Sequence, residues 1–173
     1  DTIQRLKQER NALILAHNYQ VPEVQDVADY VGDSLALSRI AADAKSDVIV
    51  FCGVYFMAET AAILSPDKTV LIPDPQAGCP MVDMAPLGRV LKFISQHPDA
   101  VIVSYVNSSA EVKAISDYCC TSANGVAIVA SIDREKTILF LPDQHLGDYI
   151  AEQTGRPLVL YDGFCPTHTH IEA

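Results

Sequence analysis

The chain has 173 residues, 49% hydrophobic and 20% charged, a balance that suits one large domain or two small ones. Its net charge of −10 argues against a nucleic-acid or anionic-membrane surface and leaves anion binding to local devices such as helix N-termini. No stretch approaches the roughly 20 apolar residues of a membrane span, and no basic-then-apolar leader opens the sequence.

In chain order, the first half reads as strand "NALILAH", helical "VPEVQDVAD" and "DSLALSRIAADA", strand "DVIVFCG", helix "FMAETAAIL" and strand "TVLIPD". "MAPLGRVLKFISQHPDA" reads as a linking helix and turn. The second half then reads as strand "DAVIVSYVN", helix "SAEVKAIS", a short strand holding Cys119 and Cys120, and helix "TSANGVAIVASI". Strand "KTILFLPD", helix "HLGDYIAEQTG" and strand "PLVLYD" complete it. Pro22 suits a first helical turn, and Gly155 can end a helix. Ser34, Ser108 and Thr121 or Ser122 are candidate N-caps. Strands that are apolar throughout, each followed by a helix, predict parallel sheets covered on both faces, an α/β three-layer fold.

The halves align with each other. A shift of 88 residues superposes Glu23, Val24, Asp29, Tyr30 and Ser34 on Glu111, Val112, Asp117, Tyr118 and Ser122. After the last strand of each half comes a cysteine followed by proline: Cys79 in "AGCPM" and Cys165 in "GFCPT". The pattern predicts two homologous repeats, 1–83 and 84–168, with 169–173 beginning a third repeat absent from the chain. In parallel sheets, ligands gather at the carboxyl ends of strands. Cys79 and Cys165 are therefore expected in loops at that edge, facing a common cleft on a pseudo-symmetry axis. A third repeat with a third cysteine would complete a ring. Five cysteines cannot all pair, and their spacing is no disulfide framework, so the expected compartment is reducing and cytoplasmic.

The stretches "ILAHNYQVPEVQDVADYVGDSL", "FCGVYFMAETAAILSP", "AGCPMVDM", "YVNSSAEVKA", "CCTSANGV", "PDQHLG" and "GFCPTH" run almost end to end. Together they resemble the quinolinate synthases, a bacterial and archaeal family of NAD biosynthesis. The resemblance implies three similar α/β domains around a pseudo-threefold axis, of which this chain matches the first two. It implies a 4Fe–4S cluster held by one cysteine per domain, here Cys79 and Cys165, with the third ligand outside the chain. One iron then keeps an open position for Lewis-acid chemistry. The implied reaction condenses iminoaspartate with dihydroxyacetone phosphate to quinolinate, phosphate and water. It leaves room for association with the enzyme that supplies iminoaspartate.

Carried over residue by residue, the resemblance places His17, Tyr19 and Tyr105 among the catalytic groups. His17, Ser34, Met57, Tyr105, Asn107, Ser122 and His168 become substrate contacts. His17 can transfer protons near neutral pH, and Tyr19 can donate a hydrogen bond to developing negative charge. The repeat brings Tyr105 and Asn107 to the His17 and Tyr19 positions. Ser34 and Ser122 are expected at equivalent helix starts, as caps that also contact substrate anions. Plainer readings stand beside these: a satisfied strand-end histidine, ordinary caps, and a core methionine at Met57. Cys52, Cys119 and Cys120 read as structural. Two rival functions remain open. One is a non-enzymatic anion-binding module. The other is a zinc hydrolase using Cys165 and His168, with His170 as a further donor.

Overall fold

The computed structural model describes residues 2–169, so the expected third-repeat start, apart from Thr169, lies outside the described residues, and His170 with it. The first unit runs α1 (Thr2–Glu9), β1 (Ala12–His17), α2 (Pro22–Gln25), β2 (Tyr30–Gly32), α3 (Ser34–Asp43), β3 (Val48–Cys52), α4 (Tyr55–Leu64) and β4 (Thr69–Leu71). The second opens with α5 (Pro80–Met84) and α6 (Leu87–Ile94). It continues β5 (Val101–Tyr105), α7 (Ala110–Ala114), β6 (Tyr118–Cys120), α8 (Gly125–Ser131), β7 (Ile138–Leu141), α9 (Gln144–Thr154), β8 (Val159–Leu160) and α10 (Pro166–Thr169). Each unit holds a four-stranded sheet, ordered β2-β1-β3-β4 in one and β6-β5-β7-β8 in the other. Every pairing in both is parallel. The fold is α/β, with two like-wound parallel sheets.

The repeat extends to individual hydrogen bonds. Leu15 pairs with Tyr30 in one sheet, and Val103 pairs with Tyr118 in the other, both displaced by 88. The Asp29 carboxylate accepts the Ile14 N–H at 2.9 Å, and Asp117 accepts the Ile102 N–H at 2.7 Å. In return, the Asp29 and Asp117 N–H groups donate to the Ile14 and Ile102 carbonyls at 2.8 and 2.9 Å. An aspartate thus clasps the central strand to the segment entering its edge strand, in both units. Before β7 the second unit has gained one residue relative to the first. Ile49 pairs with Leu13, but Ile138 pairs with Val101, a displacement of 89.

Both faces of the central strands are covered, and successive residues join opposite layers. In the first unit Leu15, Ile49 and Phe51 are fully buried. On the alternate residues, Ile14, Ala16 and Cys52 form a smaller cluster with Val24 and Ala28. In the second, Val103, Ile138 and Phe140 pack with Val129 and Ile150 of α8 and α9. Its other cluster joins Leu141 and Tyr161 to Val90 of α6 and Val112 of α7. Full burial of Phe51 or Phe140 contributes about 2–3 kcal/mol each. Packing divides the chain between Gly78 and Cys79, ahead of the 83/84 boundary read from the repeat. Ala85, at the end of α5, explains the position, because it sits in the cluster with Val90, Val112, Leu141 and Tyr161.

Four elements have no counterpart in the expectation, α1, β2, α5 and the one-turn α10. α1 is mostly polar, while β2 and α5 are too short to show a period. Pro22 opens α2, and Gly155 ends α9 with φ 59°, as expected. The serine caps need correction. Asp33, not Ser34, caps α3, its carboxylate accepting the Leu35 and Ala36 N–H groups. Ser109, not Ser108, caps α7, because the Ser108 hydroxyl donates backward to the Tyr105 carbonyl at 2.9 Å. Neither Thr121 nor Ser122 caps α8. The Thr121 N–H and hydroxyl both point to Asn124 Oδ1, closing a turn ahead of the helix. Among the described residues no helix is long and apolar enough to cross a membrane.

Candidate functional site

At the carboxyl edge of the first sheet, β1 ends at His17, paired with Gly32. Its imidazole is buried, 7% exposed, because the chain folds back over it. The Gln20 N–H donates to the His17 carbonyl at 2.9 Å, and the Tyr19 N–H donates to His17 Nδ1 at 3.2 Å. Gln25 Nε2 ties the turn down through the Gln20 and Asn18 carbonyls. Accepting at Nδ1 places the proton of the neutral ring on Nε2. Burial lowers the His17 pKa from its ordinary 6.5, and the Asp33 charge offsets this in part. At neutral pH the ring is therefore an uncharged Nε2–H donor. Tyr19 stacks edge-on against it, ring centres 4.6 Å apart, with its own ring 82% exposed. Ser34 is the first residue of α3, and since Asp33 makes the cap, its hydroxyl is not needed there. Met57 lies in the first turn of α4, buried, its sulfur over Gly53, where an added Cβ would approach it to 3.1 Å.

The second unit repeats the edge with other side chains. Tyr105 ends β5 opposite Cys120, as His17 faces Gly32. The Val106 N–H donates to the Cys120 carbonyl at 2.7 Å, repeating the bond from Asn18 to Gly32 at 3.1 Å. Asn107 follows in a bend, half-buried. Ser122 is exposed in the turn before α8 rather than at the helix start. The two serines are therefore not equivalent: Ser34 stands at a helix start, as its first residue and not its cap, and Ser122 does not.

Cys79 and Cys165 share a local design. Each is half-buried and stands directly before the proline that opens a short helix, α5 or α10. The Cys79 carbonyl accepts the Asp83 N–H at 3.1 Å, and the Cys165 carbonyl accepts the Thr169 N–H at 3.0 Å. The backbone of both loops is thereby fixed, and neither cysteine is fully buried. Cys52 and Cys120 differ: both are buried, and burial pushes their thiols up, Cys120 to about 12 with the neighbouring Cys119 adding to it. Soft thiols suit iron–sulfur ligation, so Cys79 and Cys165 fit two places in such a ligand set. Among the described residues, no three His, Cys, Asp or Glu side chains gather to hold a metal. His168 lies exposed on α10, one turn beyond Cys165. Sequence reasoning passed over Asp33, whose position one residue before Ser34 was the available signal.

The family model described as "Quinolinate synthetase A protein" matches residues 1–173. The chain belongs to this family. A quinolinate synthase of Dehalococcoides mccartyi (strain CBDB1) is 57% identical over 98% of this chain and 56% of its own length. One from Desulforudis audaxviator is 59% identical over 98% and 56%. One from Mycolicibacterium paratuberculosis is 58% identical over 98% and 49%. The chain thus spans about half the length of these quinolinate synthases. Because the identity covers both sheets, the family assignment applies to both units.

Proposed function

We propose that this chain supplies the first two repeats of a quinolinate synthase that condenses iminoaspartate with dihydroxyacetone phosphate to give quinolinate, phosphate and water. The observation that carries the reading is the family match over residues 1–173, at 57–59% identity to quinolinate synthases of three organisms. The repeat geometry supports it. Equivalent strand ends present His17 and Tyr105, and equivalent Cys-Pro loops present Cys79 and Cys165.

In this reading Cys79 and Cys165 hold two irons of a 4Fe–4S cluster, and a cysteine beyond this chain holds a third. When bound, such a cluster supplies an iron with an open position as a Lewis acid. The chain's own residues do the rest. His17 presents Nε2–H to a substrate oxygen and stabilises negative charge that develops there during imine formation or dehydration. Tyr19, exposed beside it, and Tyr105 at the equivalent strand end donate hydrogen bonds where negative charge develops. Ser34, Ser122 and Asn107 contact carboxylate or phosphate oxygens, which an acidic chain can hold only through such local donors. Met57 packs behind the site, and His168 contacts substrate or product without binding iron. Oxygen-sensitive sulfur chemistry suits a reducing cytoplasm. Because imines hydrolyse in water, association with the enzyme that makes iminoaspartate would shorten its exposure.

Anaerobic reconstitution of the full-length protein tests this, read by visible absorbance, iron content and turnover. Cys165→Ala should lose cluster and activity together. His168→Ala should keep the cluster and lose mainly turnover or binding. Equal iron loss in both variants would replace this reading with a mixed Cys/His metal site.

A further inference from the structure

The repeat carries a pair of basic residues that the site description does not use. Lys68 and Arg156 are displaced by 88 residues, and each precedes the last strand of its sheet. Lys68 Nζ donates to the Ala41 carbonyl at 2.6 Å and to the Ala42 carbonyl at 3.1 Å, both in the last turn of α3. Arg156 donates to the Val129 carbonyl at 3.3 Å, and Val129 is the counterpart of Ala41 under the same displacement. Its guanidinium also reaches the Ile132 and Lys136 carbonyls at 2.6 Å each, and the Asp133 carbonyl. A basic side chain thus meets the equivalent helix end in each unit, an ammonium on two carbonyls of α3 and a guanidinium on one carbonyl of α8 and three just beyond it.

Neither cation forms an ion pair with a carboxylate among the described residues. Arg156 is 8% exposed, and a buried charge without a counter-ion is costly. What compensates it is the negative end of the helix, where the last carbonyls lack partners. Such a contact fixes position as well as charge, since a guanidinium fork or a short ammonium contact tolerates little movement. α3 is a stiff rod of 10 residues with Ser34 at its other end, so a shift at Ala41 is carried to Ser34. In the second unit the same logic links Arg156 through α8 to the turn that holds Ser122.

We propose that Lys68 and Arg156 are positioning residues, cations that anchor the far ends of α3 and α8 and so set where Ser34 and Ser122 stand. This rests on the reading of those serines as anion contacts. Lys68 is half-buried with both acceptors inside α3, whereas Arg156 holds Val129 within α8, the capping Ile132, and Asp133 and Lys136 in the turn that follows.

The test uses the full-length, cluster-loaded protein, quinolinate as binding probe, and amide hydrogen exchange along α3 and α8. Lys68→Met keeps the aliphatic stem but loses the charge. It should weaken quinolinate binding about fivefold, leave kcat within about twofold, and speed α3 exchange. Lys68→Arg should restore all three. Arg156→Lys keeps a charge in a site where Arg156→Met risks the fold. It should speed α8 exchange with intact cluster absorbance. Ser34→Ala, measured in parallel, separates the two readings. If Ser34→Ala weakens binding but Lys68→Met changes neither affinity nor α3 exchange, the anchor is overturned. Loss of kcat in Lys68→Met at unchanged affinity overturns it too. If Ser34→Ala has no effect, the serine's anion role falls, and α3 exchange alone decides the anchor: faster exchange supports it and unchanged exchange ends it.

Discussion

The two units share strand order, register and aspartate clasp, yet they fill the space between their paired helices in opposite ways. In the first, α3 brings the large Leu37 and α4 the small Ala61, both fully buried. In the second, Gly125 stands at the Leu37 position of α8, and Ile150 stands at the Ala61 position of α9. A Cβ added at Gly125 would lie 2.6 Å from Ile150 Cδ1. Large and small have changed places while the helices kept theirs. The comparison teaches that the repeat preserves backbone path and, to within one methylene, side-chain volume, not the identity of the residue that supplies the volume.

The largest expected difference lies among the thiols. With its thiol near 12 rather than the ordinary 9.0, Cys120 holds about a thousandfold less thiolate at neutral pH than an unperturbed cysteine. A thiol-alkylating reagent followed by mass spectrometry should label Cys79, Cys119 and Cys165 of the native protein quickly, and Cys52 and Cys120 only after unfolding. Rapid native labelling of Cys120 would show that the second core opens more readily than its burial implies.

Packing comes next. Gly125→Leu should cost about 3 kcal/mol in chemical denaturation, because the new side chain meets Ile150. Combining it with Ile150→Ala rebuilds the first unit's arrangement and should recover about half of the summed single-mutant losses. Simple additivity would mean the two sites do not exchange volume, and the comparison would fail.

The clasps should respond alike. Asp29→Ala and Asp117→Ala each leave a strand N–H unpaired, with an expected loss of about 1–2 kcal/mol. Asp29 also pairs with Lys7 at 2.7 Å, so its variant should lose slightly more, and the excess should shrink in high salt.

The smallest effect is a pH dependence confined to the first unit. The His17 pKa is depressed in the folded protein, so the unfolded chain takes up the proton first as pH falls. This contribution to stability is complete above the unfolded value near 6.5 and is lost as pH drops below it. Loss continues until the folded imidazole also protonates. His17→Gln should flatten that slope in denaturation curves below about pH 6.5. Tyr105→Phe, at the equivalent position, should leave it in place.

Much of this was legible in the order of residues. Parallel strands shielded on both sides must be apolar along their whole length, so β1, β3, β5 and β7 announce themselves as runs such as "ALILA" and "ILFL". Repeats that keep one backbone path keep the residues that shape it. For that reason Asp29 and Asp117 and the two Cys-Pro loops align in the bare sequence. The family motifs follow from the same residues. Tertiary structure alone decided what depends on side chains meeting across distant segments. Asp33 took the cap from Ser34 by its local backbone angle, and Asn124 closed the turn that displaced Ser122 from the start of α8. The proton of His17 was assigned by the Tyr19 N–H folding back on Nδ1. Lys68 and Arg156 each reach a carbonyl 27 residues earlier, and the exchange of bulk between Leu37 and Ile150 appears only when helix faces are matched. Periodicity reports which way a side chain points, whereas its partner is fixed by the packing of elements far apart in the chain.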